Sequence, residues 1–158
     1  MGSRSINHRP PLGHNGLMGT ASSVSSVAAG WWLSVVAISA GASLGALLRW
    51  QLSVWLNPLA PGLPPGTLVS NVVGGYLVGV AVAFFAHQPQ WSAEWRLFAI
   101  TGFLGGLTTF STFSAEIMAL LQQGRLWMGC AAIAAHLGGS LLATLAGLLT
   151  YEALRSPS

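Results

Sequence analysis

Charge is what this sequence has least of. Charged residues make up 6% of the 158-residue chain, where an ordinary soluble domain carries about 25%. Lysine and aspartate are absent, and the charges are Arg4, Arg9, Arg49, Arg96, Arg125, Arg155, Glu94, Glu116 and Glu152. A soluble fold of this size needs more charge on its surface. The net charge of +3 and a pI near 10.0 do not indicate a nucleic-acid partner, because no stretch clusters the arginines into a patch. With one cysteine, Cys130, the chain cannot be a disulfide scaffold. Cys130 lies in an apolar run and reads as a small packing residue.

Apolar residues are abundant, at 53% of the chain, with a mean hydropathy of +0.63. This excludes a disordered chain and leaves an all-α integral membrane protein whose helices pack against one another. Residues 1–28 hold Gly, Ser, Asn, His and Pro without a sustained apolar period. They read as a flexible N-terminal tail, and residues 29–155 as a four-helix transmembrane domain. His8 and His14 in the tail are separated by Pro10, Pro11 and Gly13 and do not suggest a metal site. The apolar run from Trp31 to Leu48 exceeds the ~7–15 residues of a signal sequence and leads into Arg49, so it reads as a retained span.

Four spans are expected, at about residues 31–56, 66–86, 96–121 and 126–151, each long enough for a bilayer core. Trp31, Trp32, Trp55, Trp91, Trp95 and Trp127 fall near their ends, where indole rings favour the headgroup layer. Four spans put both termini on one side. Arg96 and Arg155 then lie near that face, and Arg125 with Arg49 near the other. The positive-inside rule gives no preferred orientation. Insertion both ways round would allow an antiparallel homodimer.

Small residues recur at four-residue spacing in Gly41-x-x-x-Gly45, Ser70-x-x-x-Gly74, Gly75-x-x-x-Gly79 and Gly139-x-x-x-Ala143-x-x-x-Gly147. Such spacing lets helix backbones approach closely, within one chain or between copies. The third span carries the strongest signal. Gly105 and Gly106 precede Thr108, Thr109, Ser111, Thr112 and Ser114. Glycine weakens a helix by ~1 kcal/mol per site, and hydroxyls can satisfy freed backbone groups. We expect the third helix to be broken at mid-membrane, its carbonyls aimed at a cavity as in sites that hold a bare cation. The alternative is a continuous helix whose hydroxyls bond their own i−4 carbonyls.

Phe110 and Phe113 share a helical face. They are either packing residues or, through their electropositive ring edges, the lining of an anion path. Asn71, one turn from Thr67, offers a neutral amide donor or an interhelical hydrogen bond. His136, Ser140 and Thr144 form a polar line in the fourth span. Arg49 inside the first span is costly enough to imply function or a specific partner. With Glu116 in the third span it is placed on the same expected pathway.

At these residues the chain resembles the Fluc (CrcB) family of fluoride channels. The carriers of the resemblance are Gly66-Thr67-Leu68-Val69-Ser70-Asn71-Val72-Val73-Gly74-Gly75-Tyr76-Leu77-Val78-Gly79, the stretch 101–116, and Gly45-Ala46-Leu47-Leu48-Arg49-Trp50. The resemblance covers roughly residues 33–152. It implies a dual-topology homodimer with two fluoride pores, passively exporting cytoplasmic fluoride across the bacterial inner membrane and so giving fluoride resistance. It also implies a structural sodium ion at the dimer centre, held by the backbone carbonyls of Gly105 and Thr108. Asn71 falls on the pore asparagine, Phe110 and Phe113 on the stacked pore phenylalanines, and Ser140 and Thr144 on a hydroxyl track. That track commonly starts with tyrosine, where this chain has His136.

Two rivals are weaker. A dual-topology four-helix exporter of cations or small molecules needs a membrane-buried carboxylate, and the first two spans have none. An intramembrane serine hydrolase built on Ser140 and His136 lacks an oxyanion hole and an aspartate, so an enzyme is not expected.

Overall fold

The computed structural model describes residues 16–60 and 64–156, with side chains from residue 30 onward. Arg4, Arg9, His8 and His14 lie outside the described residues. The chain divides into a unit of residues 1–32 and a unit of residues 33–158. In the first, the helix α1 (Gly16–Leu56) begins at Gly16, inside the stretch whose composition reads as a tail. The rings of Trp31 and Trp32 meet edge to face at 4.8 Å.

The second unit contains the rest of α1, then α2 (Pro65–His87), α3 (Ala93–Arg96), a π-helical stretch (Leu97–Leu104), α4 (Gly105–Leu107), α5 (Phe110–Gln122) and α6 (Leu126–Arg155). Among the described residues, four stretches are long and apolar enough to cross a membrane: Gly30–Leu59, Pro65–His87, Ala93–Gln122 and Leu126–Arg155. They match the four expected spans to within a few residues at each end.

Local chemistry explains the boundaries. Pro65 occupies the first turn of α2, where its missing N–H costs nothing and its fixed φ suits a helix. The next N–H, that of Gly66, donates to Asn57 Oδ1 at 3.0 Å. The turn after α5 is a paired C-terminal motif. Gly124 has φ 71°, and its N–H donates to the Leu121 carbonyl at 3.0 Å, while Arg125 N–H reaches Leu120 O at 2.9 Å. A side chain at Gly124 would be strained there.

α2 packs extensively against α6. It depends on backbone approach. A methyl at Gly79 would overlap the Thr144 carbonyl, and one at Gly147 would overlap the Tyr76 carbonyl. Gly41 and Gly45 of α1 are likewise pressed against the backbone at Phe98 and Phe103. The small-residue spacing thus serves contacts within one chain at these positions. α5 joins the α2–α6 pair through a cluster of Phe113, Ile117, Leu120 and Ala132, with Met128 against it.

Many other apolar side chains face outward. On α6 and α5, Leu137, Leu141, Leu142 and Phe110 are all more than half exposed. Such continuous apolar surface is untenable in water and fits lipid or another protein surface.

Candidate functional site

Between α4 and α5 the backbone leaves the helix for two residues. Thr108 (φ −81°, ψ 153°) and Thr109 (φ −150°, ψ 121°) are extended. Several polar groups around them find specific partners. Thr108 N–H and Oγ1 both donate to the Leu104 carbonyl, at 3.0 and 2.9 Å. Thr109 is the N-cap of α5, its Oγ1 accepting from Thr112 N–H at 3.2 Å, a favourable role for a threonine. Arg49 Nε donates to the Gly106 carbonyl at 3.1 Å. A cation there complements the carbonyl end of α4, which supplies the intramembrane arginine with its partner.

Asn71 of α2 holds Thr109 from the side. Its Oδ1 accepts from Thr109 N–H at 2.7 Å, and its Nδ2 donates to Thr109 O at 3.1 Å. Nδ2 also lies 3.2 Å from His136 Nδ1. In a continuous helix Thr109 N–H would bond the Gly105 carbonyl, and Thr112 N–H the Thr108 carbonyl. Here the first donor goes to Asn71 and the second to the Thr109 hydroxyl. Gly105 and Thr108 are therefore among the positions at this break whose carbonyls lose their usual helical donor, as are Gly106, whose carbonyl takes Arg49 instead, and Leu107.

An open cavity of about 290 Å³ is lined by Asn71, Gly75, Thr108, Thr109, Phe110, Phe113, His136, Leu137, Ser140 and Leu141. Five of the residues singled out for the anion pathway therefore meet at one place: Asn71, Phe110, Phe113, His136 and Ser140. The phenylalanines differ in setting. Phe113 is 6% exposed and Phe110 73%. Their rings are 5.5 Å apart and tilted by 56°. Phe113 also lies against the His136 ring, 4.7 Å away.

The other expected pathway residues lie outside that lining. Thr67 Oγ1 donates to Glu116 Oε1 at 2.5 Å, joining α2 to α5 one turn from Asn71. Thr67 is fully buried. Thr144 Oγ1 donates to the Ser140 carbonyl at 2.9 Å and packs with Ser140 against Gly75. Arg49 sits at α4. Ser114 Oγ bonds back to the Phe110 carbonyl at 2.8 Å, so this hydroxyl does follow the i−4 pattern. Sequence reasoning missed Thr109 as the partner of Asn71, although a threonine just before a helix start is a capping signal. It also missed Leu137 and Leu141 in the lining, which carry no signal beyond hydropathy.

Among the described residues no group of three or more His, Cys, Asp or Glu side chains could hold a metal ion.

Residues 36–148 match the family model described as CrcB-like protein, Camphor Resistance (CrcB). Similar curated proteins carry the description fluoride-specific ion channel FluC. That of Pseudomonas paraeruginosa is 61% identical over 121 residues, covering 77% of this chain and 95% of the relative. The Chromobacterium violaceum protein is 60% identical over 124 residues, covering 78% and 98%. The Nitrosomonas europaea protein is 58% identical over 125 residues, covering 79% and 98%.

Proposed function

This chain belongs to the CrcB family, and from that premise we propose that it is a fluoride-selective channel that passively exports cytoplasmic fluoride across the bacterial inner membrane. The observation that carries the reading is the convergence of Asn71, Phe110, Phe113, His136 and Ser140 on one cavity, in a chain highly similar to proteins described as fluoride-specific channels. Fluoride is small, strongly hydrated and a strong hydrogen-bond acceptor. Hydroxyl, imidazole and phenyl-edge contacts replace part of its water shell without a fixed charge that would trap it.

The working unit in this reading is an antiparallel homodimer. The cavity is open on the side of Phe110, Leu137 and Leu141, three exposed apolar residues, and a second copy would close it. The balanced arginines supply the dual topology that an antiparallel pair needs. The break at Thr108–Thr109 lies at mid-membrane and faces the second copy.

A structural sodium ion fits this donor set. Sodium is a hard cation that takes oxygen ligands, and the carbonyls of Gly105 and Thr108 are among those that lose their helical donors at the break. Gly105 is also exposed, as a residue shared between two copies would be. When bound, sodium supplies a fixed positive charge that offsets repulsion among anions. Asn71 holds Thr109 in its extended conformation, and Arg49 keeps Gly106 O occupied.

Expression in a bacterium lacking its own fluoride exporter tests the function. Growth in fluoride should be restored by the wild-type chain. Failure of a membrane-inserted, well-expressed protein to restore it would overturn the reading.

A further inference from the structure

The contacts around Asn71 fix more than the backbone. Thr109 N–H only donates, so the amide atom 2.7 Å from it is an oxygen. The other amide atom is therefore nitrogen, with two hydrogens and no capacity to accept. One hydrogen goes to Thr109 O. The second points to His136 Nδ1 at 3.2 Å, so Nδ1 must accept. A neutral imidazole has one proton, and it is then on Nε2.

Nε2 makes no hydrogen bond among the described residues. Yet among the described residues no side-chain nitrogen or oxygen shut off from the surface lacks a partner. Nε2 thus borders open space, although the histidine as a whole is 5% exposed, and the cavity shared with Asn71 and Ser140 is the space this ring lines. The Phe113 ring, 4.7 Å away, limits rotation of the imidazole.

We propose that His136 is a tautomer-locked donor: Asn71 occupies its Nδ1, and Nε2–H is presented to the fluoride pathway as a hydrogen-bond donor. This deepens the channel reading and rests on it. The two residues act as a pair. Both Asn71 hydrogens are engaged in holding Thr109 and His136, so the donor offered to the ion is supplied by the histidine. His136 also positions Asn71, since without an acceptor at Nδ1 the second amide hydrogen has no partner on α6.

The test is nitrogen NMR of the full chain, labelled at histidine, in lipid nanodiscs at alkaline pH, where imidazole is neutral. His136→Gln assigns the signal by its loss. The expected result is a single tautomer with Nε2 protonated and Nδ1 bare, a shift of the Nε2 signal on adding sodium fluoride, and no such shift with sodium chloride. Asn71→Ala should release the tautomer to a mixture. In flux assays His136→Gln, whose amide both accepts and donates, should retain most fluoride flux, and His136→Leu should lose at least about tenfold. A protein that conducts fluoride with its proton on Nδ1, or with a mixture indifferent to Asn71→Ala, would overturn the inference and leave the channel standing. The stated tautomer in a protein with no fluoride flux and no fluoride-induced shift would overturn both.

Discussion

Asn71 makes three hydrogen bonds within 3.2 Å, two of them to one residue, Thr109. Its amide therefore acts first on the protein. Substituting Asn71→Asp keeps the size and one acceptor but removes both N–H groups and adds a charge that repels an anion. We expect fluoride flux to fall by about tenfold or more, equivalent to at least ~1.4 kcal/mol of barrier, in a protein that still purifies as folded channel. Wild-type flux from that variant would separate Asn71 from the pathway. The phenylalanines allow a second test at this scale. Phe113 is buried within one chain and Phe110 lies on the face a second copy would cover, so Phe113→Ile should lower the thermal stability of each chain and Phe110→Ile chiefly the cohesion of the pair. If ring edges meet the ion, both substitutions lower flux. A Phe110→Ile protein with unaltered flux would reduce that ring to a surface contact.

At the scale of elements, the α4–α5 junction is held by long-range polar contacts. Arg49 and Gly106 are 57 residues apart, Asn71 and Thr109 are 38. Arg49→Gln should leave the Gly106 carbonyl poorly satisfied and cost about 1–3 kcal/mol, read as an earlier unfolding midpoint in detergent. An unchanged midpoint would show that the carbonyl finds another donor. The α2–α6 contact is sterically exact in a different way. Gly79→Leu drives a side chain into the Thr144 carbonyl and should destabilise by about 1–3 kcal/mol through overpacking, again read from unfolding. These elements also show what a sequence can and cannot reveal. The four spans follow from hydropathy and tryptophan placement. The partners of Arg49 and Asn71 do not, because each lies on another helix and no spacing along the chain encodes it. The start of α1 at Gly16 was also hidden. Residues 16–28 are small and polar enough to read as a tail, and a helix that continues into an apolar span needs no apolar period of its own.

For the whole molecule, family membership was legible because residues 66–79 and 101–116 carry signature segments, and the matched region spans 36–148. The site was legible only in part. Asn71, Phe110, Phe113, His136 and Ser140 share a cavity, whereas Thr67 and Glu116 pair with each other outside its lining. Their pairing depends on how α2 meets α5, which periodicity within either helix cannot give. Dual topology makes its own prediction. A short tag at the C-terminus should be labelled by impermeant reagents from both sides of the membrane, in comparable amounts; labelling from one side alone would leave no antiparallel pair. The most direct test of the central claim is ion efflux from liposomes containing the purified full-length chain. The account predicts rapid fluoride efflux with chloride retained, and loss of the fluoride efflux in Asn71→Asp. Equal efflux of the two ions, or no fluoride efflux from a folded protein, would contradict it.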